Sequence, residues 1–405
     1  MSDFDENIKK SKQHKCPNCG SNMHFSPEQG KLVCDHCAST QDVSRNRDVR
    51  ERDFSEFKNR SKSAQVGVTY YRCRNCGAST KMSDTTIATT CPFCGSPVVV
   101  EKNELDTVRP DSVIPFEITQ KSAQRAVLRW RKKRWLAPRK FRKFVEVDSV
   151  RGVYTPVWTF DSSTYSTYEG RLGERRTRTV TRNGKSQTET YIEWYRVSGA
   201  WKRIFDDVFI SGSGKMPSSE IDKLHPFPQS KYVVYSDEFL QGYVCDNYTV
   251  GPEEAFERAK IQMENVIRSE IVSHYGADEV DYLNVKVSYE GNSFKYLLLP
   301  IYVTAAKYKG NVYNNYVSGI SCGKDKNGEE NVKVSGNYPK SAWKIALIVL
   351  LAIAAAVGVI FLALSGEGGV NVDVFGRVSS QICPITSDFA PNPLTNFQIQ
   401  CITYV

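Results

Sequence analysis

The sequence lacks the signatures of the common motif-defined enzymes. HExxH, GxSxG and the kinase motif set are all absent, which removes the metalloprotease, α/β-hydrolase and kinase chemistries that those patterns support. The nearest approach to a phosphate loop is SGSGKM, Ser211 to Met216, with Met216 where Ser or Thr should follow the lysine and no glycine five residues before Gly214. It reads as a turn. His225, in HPFP, and His274 have no cysteine or serine partner in the pattern, and Asp206 with Asp207, like Asp237 with Glu238, reads as a solvated turn. No catalytic or cofactor-binding residue is expected, and the chain is expected not to be an enzyme. An apolar leader is missing too: Met1 to Lys15 is polar and charged, so a signal peptide is not expected and the N-terminus is expected in the cytosol. Extreme charge is absent: a net +9 over 405 residues is modest, and 40% hydrophobic content rules out a disordered composition. What matters is where the cations cluster.

Of the 12 cysteines, eight fall in four CxxC pairs within the first hundred residues. Cys16 and Cys19 in CPNCG are followed, after fourteen residues, by Cys34 and Cys37 in CDHC. Cys73 and Cys76 in CRNCG are followed, after fourteen residues again, by Cys91 and Cys94 in CPFCG, each offset by 57 from its counterpart. A duplicated module with preserved spacing is therefore expected. Zinc takes four thiolates in a tetrahedron, and two residues between the cysteines let one tight turn present both sulfurs. Gly20, Gly77 and Gly95 follow a pair and permit left-handed backbone there, whereas Ala38 stands at the fourth such position. Iron would accept the same thiolates, and disulfides are disfavoured in the cytosol; two zinc ions are the assignment. His14, His24 and His36 are read as surface residues, because each ribbon already has four sulfurs. Cys245, Cys322, Cys383 and Cys401 are read as ordinary buried or free thiols.

Ile345 to Leu364 is a run of twenty residues without a charge, long enough at 1.5 Å per residue to span about 30 Å of hydrocarbon. Trp343 and Lys344 precede it as interfacial anchors. Lys326, Lys333, Lys340 and Lys344 lie on its N-terminal side against Arg377 on the other, so a single-pass protein of the cell membrane with a cytoplasmic N-terminal part is expected.

The expected organisation is zinc ribbon 1 over 14–40, a charged linker over 41–69, zinc ribbon 2 over 70–98, a cytosolic α+β domain over 108–338, a transmembrane helix over 343–365 and an extracytoplasmic tail over 366–405. Within the α+β domain, Ile118 to Trp135 and Pro252 to Tyr275 are expected helices. Strands are expected near Phe144 to Val147, Val153 to Tyr168, Asn284 to Tyr289 and Tyr296 to Tyr308. Each helix precedes a strand carrying Pro, an apolar residue and an aromatic (Pro156, Val157, Trp158; Pro300, Ile301, Tyr302), so two related helix-hairpin halves are considered, with the prolines marking edge strands or bulges. Asn183 with Gly184 predicts a type I′ turn joining Arg175 to Thr181 with Ser186 to Trp194, in a hairpin projecting into solvent.

Ten cations and no acid lie between Arg125 and Lys143: Arg125, Arg129, Arg131, Lys132, Lys133, Arg134, Arg139, Lys140, Arg142 and Lys143, interleaved with Trp130, Trp135 and Phe141. Three readings stand: a solvated helix face with its tryptophans in the core, a surface for anionic lipid headgroups, or a nucleic-acid surface. The strand with Arg175, Arg176, Arg178 and Arg182 is a second basic candidate, against the plainer reading of a solubilising charged edge.

The sequence of motifs YRCRNCGAST, TTCPFCGSP, VIPFEIT, RGVYTPVWTFD, FDDVFISGSGKMP and LLLPIYVTAAKYKG resembles a family of bacterial membrane proteins with a transcription-factor-B-type zinc ribbon, often labelled primosomal helicase or replication factor Y. The resemblance runs from about Cys16 to Leu364 and implies that the eight cysteines bind metal. The helicase part of the label does not carry over, since no nucleotide-binding motif is present. The leading expectation is a non-enzymatic, membrane-anchored zinc-binding protein that recruits a protein partner at the cytosolic membrane face. The alternative is a zinc-ribbon nucleic-acid-binding protein tethered to the membrane.

Overall fold

In the computed structural model, the described residues are 14–54, 66–72, 79–81, 88–90, 97–99, 102–107, 109–143, 150–182, 185–309, 311–326 and 328–365. They fall into two units. The first holds Met1–Trp135 and Arg139–Pro339, and the second holds Leu136–Pro138 and Lys340–Val405.

The first unit opens on a three-stranded antiparallel sheet of β1 (Met23–Ser26), β2 (Lys31–Cys34) and β3 (Thr40–Gln41). There follow β4 (Arg52–Asp53), β5 (Val66–Arg72), β6 (Ser79–Lys81), β7 (Ala88–Thr90), β8 (Pro97–Val99), β9 (Lys102–Thr107) and β10 (Ser112–Val113). Helix α1 (Gln120–Lys132) and the short α2 (Arg139–Lys143) lead into β11 (Val150–Arg182) and β12 (Lys185–Ser211). Helix α3 (Ser218–Leu224), β13 (Val233–Val234) and β14 (Val244–Asp246) precede α4 (Pro252–Tyr275), and β15 (Glu279–Tyr308), β16 (Asn311–Ser318) and β17 (Val334–Gly336) complete the unit.

Strand β11 organises this sheet. It pairs antiparallel with β12 from Val157↔Ser211 to Arg182↔Lys185 and, on its other edge, antiparallel with β15 from Val150↔Thr304 to Gly173↔Glu279. Val153 to Phe160 is buried at every position, as a run covered on both faces requires, and alternation sets in from Ser162 to Leu172, where one face meets solvent. Beyond Gly173 the side chains of β11 are mostly exposed, and the ladder with β12 runs to the Arg182↔Lys185 pair; Asn183 and Gly184, where the type I′ turn is expected, lie outside the described residues. Asn284 to Tyr289 and Tyr296 to Tyr308 belong to one continuous strand, and the expected strand at Phe144 to Val147 lies outside the described residues.

The prolines correct one expectation. Pro156 and Pro300 sit on interior strands, and each marks the point where a flanking strand runs out. Gly212 N donates to Pro156 O at 2.9 Å just past the end of β12, and Gly319 N donates to Pro300 O at 2.7 Å just past the end of β16. A residue's N–H and C=O in a strand point to the same edge, so the donor that proline lacks falls where no ladder continues. The two prolines stand two positions apart in the register of these neighbouring strands, with Tyr154 opposite Pro300 and Pro156 opposite Leu298.

Helix α4 covers the sheet with Ala255, Ala259, Met263, Ile267 and Ile271, buried at four-residue steps, the stripe of an amphipathic helix. Pro252 at its first turn, Glu253 and Glu254 beside it, and Gly276 in left-handed conformation at its end (φ +62°) supply start, dipole and stop. The expected linker is partly docked structure: β4 pairs with β15, and Phe54 is buried against Phe160, Phe256 and Phe294. The remainder, 55–65, lies outside the described residues.

The second unit contains α5 (Ala342–Ser365). Its 20-residue segment Ala342–Phe361 has a mean hydropathy of 2.8 with none of it buried, so it is long and apolar enough to cross a membrane. Leu136 O accepts from Ser341 N at 3.0 Å and Ala137 O from Lys344 Nζ at 3.2 Å, so the Leu136–Pro138 segment is held at the N-terminal end of α5.

A tightly packed glycine and an open one can be compared directly. A Cβ on Gly319 would lie 2.7 Å from Pro300 O, Pro300 Cβ and Phe116, whereas one on Gly276 meets nothing within 4 Å. Gly319→Ala is expected to lower the denaturation free energy of the detergent-solubilised chain by roughly 3 kcal/mol through overpacking. Gly276→Ala is expected to cost about 1 kcal/mol from its left-handed φ alone. Equal losses in a urea titration would contradict the close packing of Gly319 on Pro300 and Phe116.

Candidate metal centre

The first ribbon consists of two copies of one backbone turn. Gly20 N donates to Cys16 O at 2.9 Å and Cys16 N to Ser21 O at 2.8 Å; Ala38 N donates to Cys34 O at 3.2 Å and Cys34 N to Ser39 O at 2.9 Å. Gly20 and Ala38 both have positive φ, +71° and +58°, so the alanine adopts the conformation the geometry demands even without glycine's freedom. These turns gather Cys16, Cys19, Cys34 and Cys37 so that their Sγ atoms lie within 4.8 Å of one another.

Cys16 Sγ is 3.5 Å from Cys37 Sγ, and Cys19 Sγ is 3.4 Å from Cys34 Sγ. A disulfide would need about 2.05 Å, and all four are free thiols. Sulfurs held 2.3 Å from a central ion define a tetrahedron with edges of about 3.8 Å, so the four sulfurs fit one tetrahedral metal ion. His36 N points at Cys34 Sγ at 3.4 Å, and the Ser39 hydroxyl lies 3.0 Å from Cys37 Sγ. Hydrogen bonds from Ser39, side chain and backbone, bring the Cys37 thiol down to about 6, which favours the thiolate that metal binding requires. The His24 ring pairs with Asp35 at 2.6 Å, the His36 side chain is exposed, and neither joins the sulfur cluster.

The ribbon is docked on the large sheet domain. Phe25 is buried on β1, its N–H donates to Gln241 O at 3.0 Å, and its ring meets Phe239 edge-on at 5.4 Å.

Cys73, Cys76, Cys91 and Cys94 lie outside the described residues. The strands around them are described and repeat the first ribbon's closures. Lys15↔Asn22 brackets Cys16 and Cys19, and Arg72↔Ser79 brackets Cys73 and Cys76. Val33↔Thr40 brackets Cys34 and Cys37, and Thr90↔Pro97 brackets Cys91 and Cys94. All four partners of the second set are offset by 57 from the first, so the repeat extends from cysteine spacing to strand pairing.

The ten cations of Arg125 to Lys143 do not form one surface. Arg131 is buried on α1, gives two hydrogen bonds to Asn315 Oδ1 at 2.9 and 2.6 Å and lies over the Phe141 ring; burial lowers it to about 10, still charged at neutral pH. Arg129 pairs with Glu329 and faces Asp325 at 3.8 Å, while Arg125 faces Glu329 at 4.0 Å. Arg134 stacks on Trp130 at 4.5 Å, and Arg142 is half-buried. Lys132, Lys133, Arg139 and Lys140 are exposed, and the Lys143 side chain lies outside the described residues. On the long hairpin, Arg175 pairs with Glu279, Arg176 with Glu174 and Glu193, and Arg178 with Glu189, while Arg182 is exposed. That strand is a charge-balanced edge.

One polar cluster escaped the sequence reading. Asp207, read as part of a solvated turn, has a side chain that is 9% exposed, and its carboxylate pairs at 2.9 Å with Lys295, whose side chain is 4% exposed. Glu51 pairs with the same ammonium at 2.9 Å, and Tyr232 and Gln229 donate to Asp207 Oδ2. A bulge between Phe160 and Ser162 places Asp161 here, and burial raises its carboxyl to about 6. Asp161, Asp206 and Asp207 are close enough to share a cation, but the Lys295 ammonium already compensates them, so a metal would compete with a built-in positive charge. The available sequence signal was Lys295 itself: a lysine in the apolar strand FKYLLLPI needs a buried counter-ion.

The SGSGK turn is tied to a second buried acid. Ser213 Oγ donates to Asp246 Oδ2 at 2.6 Å, and Lys215 N donates to Ser213 Oγ at 3.2 Å. Complete burial pushes Asp246 up to about 7, above the unfolded value of about 3.9. The unfolded chain therefore releases this proton first, and stability falls as pH rises from about 4 to about 7. In Asp246→Asn that component is expected to vanish, so that variant stability relative to wild type rises across this window by up to about 4 kcal/mol; parallel pH profiles in chemical denaturation would refute it. At the metal centre, Ala38→Gly is expected to slow metal loss to a chelator, because it relieves about 1 kcal/mol of left-handed strain. Faster loss would show that Ala38 is not strained.

No family model matches this chain, and no solved structure matches it. Over 335 residues, 82% of its length, the chain is 29% identical to the uncharacterised protein YdjG of Bacillus subtilis, of which the match covers 92%.

Proposed function

We propose that this chain is a non-enzymatic, membrane-anchored protein that holds two zinc ions in two ribbons and presents its sheet domain at the cytosolic face to recruit a protein partner. The observation that carries the proposal is the four-sulfur cluster of Cys16, Cys19, Cys34 and Cys37, together with the 57-residue repeat of its strand closures around Cys73, Cys76, Cys91 and Cys94. Four thiolates satisfy zinc's full coordination and leave no open position for substrate, which is the pattern of a structural site. The lysines before α5 outnumber the arginine after it, which favours a cytosolic N-terminal part, and thiolate sites need that reducing compartment. The resemblance to bacterial zinc-ribbon membrane proteins agrees with this assignment.

The face of the long hairpin around Gly173 offers a surface for a protein. Arg171, Gly173 and Arg175 alternate onto one face of β11, where their cross-strand partners are Tyr282, Trp194 and Ile192. All three partners are exposed, and Arg171 lies over the Trp194 ring at 5.5 Å. Exposed aromatics beside arginine are the residue types enriched at binding hot spots. The nucleic-acid alternative is weakened by the ion pairs that occupy Arg125, Arg129, Arg175, Arg176 and Arg178.

The test is metal analysis of the purified full chain, with photo-crosslinking in cells from Trp194 and Tyr282 positions. Two zinc ions per chain, no visible absorbance from iron and one reproducible crosslinked protein are expected. Any other metal count would remove the second ribbon, and crosslinking that returns no reproducible protein would remove the adaptor.

A further inference from the structure

The basic and aromatic stretch after α1 is left over once the ion pairs are assigned. Among the described residues, Lys132, Lys133, Arg139 and Lys140 are exposed and have no acidic partner. They flank the tripeptide Leu136–Ala137–Pro138 on both sides in the sequence. That tripeptide is bonded to the start of α5: Ser341 N donates to Leu136 O at 3.0 Å and Lys344 Nζ to Ala137 O at 3.2 Å. Trp135 and Arg139 are joined to its two ends by peptide bonds, and consecutive Cα atoms are about 3.8 Å apart, so Lys132 to Lys140 stay within about 15 Å of it. Trp135 is 58% exposed, and Trp343 in the first turn of α5 is 66% exposed.

We infer that Lys132, Lys133, Arg139 and Lys140, with Trp135 between them, form a juxtamembrane collar that binds anionic phospholipid headgroups. The inference rests on α5 crossing the membrane. Where it crosses, chain connectivity holds these residues at headgroup depth, and cations there gain from the negative surface of an anionic leaflet. Tryptophan is the side chain favoured at that depth. A nucleic acid fits less well, because single strands need aromatic faces open for base stacking. Of the three interleaved aromatics, Phe141 is buried and Trp130 is covered by Arg134 and meets Tyr338 edge-on, leaving Trp135 exposed.

The test uses the full chain reconstituted into vesicles of phosphatidylcholine, with and without phosphatidylglycerol, containing brominated lipid as a shallow quencher. Subtracting the fluorescence of Trp135→Phe isolates Trp135, and subtracting that of Trp343→Phe isolates Trp343. Both components are expected to be quenched, Trp135 more strongly in the anionic vesicles, and changing Lys132, Lys133, Arg139 and Lys140 together to Gln is expected to abolish that difference. If Trp343 is not quenched, the membrane anchor fails and the collar with it. If Trp343 is quenched and Trp135 is not, or if Trp135 responds to an added single-stranded oligonucleotide and not to lipid, the anchor stands and the collar is overturned.

Discussion

The antiparallel pairing of β11 with β15 is the constraint on which the rest of the first unit depends. Each strand is about thirty residues long, and they align from Val150↔Thr304 to Gly173↔Glu279 across two register shifts. Every other large element joins one of them: β12 extends β11, β16 extends β15, β10 and β14 add short pairings, and β4 reaches the middle of β15. Helix α4 seals the core because its four-residue stripe offers one unbroken apolar line to that surface. A one-residue slip of β11 against β15 would turn every alternating residue over, exposing Tyr168 and Leu172 and burying Glu169 and Arg171. The prolines sit where β12 and β16 run out, so their missing donors cost no ladder bond.

Charge is handled locally in this protein. Several arginines that look like a polyanion surface in the sequence are paired with acids, some of them distant in the chain, such as Glu329 for Arg129 and Glu279 for Arg175. Arg131 is taken inside, with Asn315 satisfying its donors, since a buried guanidinium without hydrogen-bond partners would cost several kcal/mol. Lys295 does the reverse for the acids: it enters an apolar strand and draws Glu51 and Asp207 in with it. Among the described residues of the Arg125 to Lys143 stretch, the exposed cations without an acidic partner, Lys132, Lys133, Arg139 and Lys140, flank the tripeptide tied to α5 in the sequence. Their position is set by covalent connection more than by the fold of the sheet.

The first ribbon is small and has two sources of order to draw on. A metal ion on its four thiols would supply one, since so few apolar side chains cannot by themselves offset the chain entropy. The domain supplies the other: Phe25 enters the core beside Phe239, and Val43 and Phe54 continue the burial along the segment that follows. The first ribbon is thereby fixed to the sheet domain through Gln241 and Phe239.

Much of this was legible in the sequence, where the signal is local. The cysteine pairs, their spacing and, in the first ribbon, the left-handed residues Gly20 and Ala38 after them follow from the few ways a short loop can present two sulfurs to one ion. The apolar run of α5 follows from hydropathy and length, the bounds of α4 from Pro252 and Gly276, and the hairpin tip from Asn183 with Gly184, because each is decided by neighbours within a few residues. Only the tertiary structure decided which cations are surface and which are core, that Asp207 faces inward, that the segment around Phe54 is docked and that Pro156 and Pro300 lie on interior strands. Those outcomes rest on pairs more than a hundred residues apart, such as Arg131 with Asn315 and Glu51 with Lys295. Composition and periodicity describe a residue's neighbours along the chain, while burial and ion pairing depend on its neighbours in space, which strand register alone brings together.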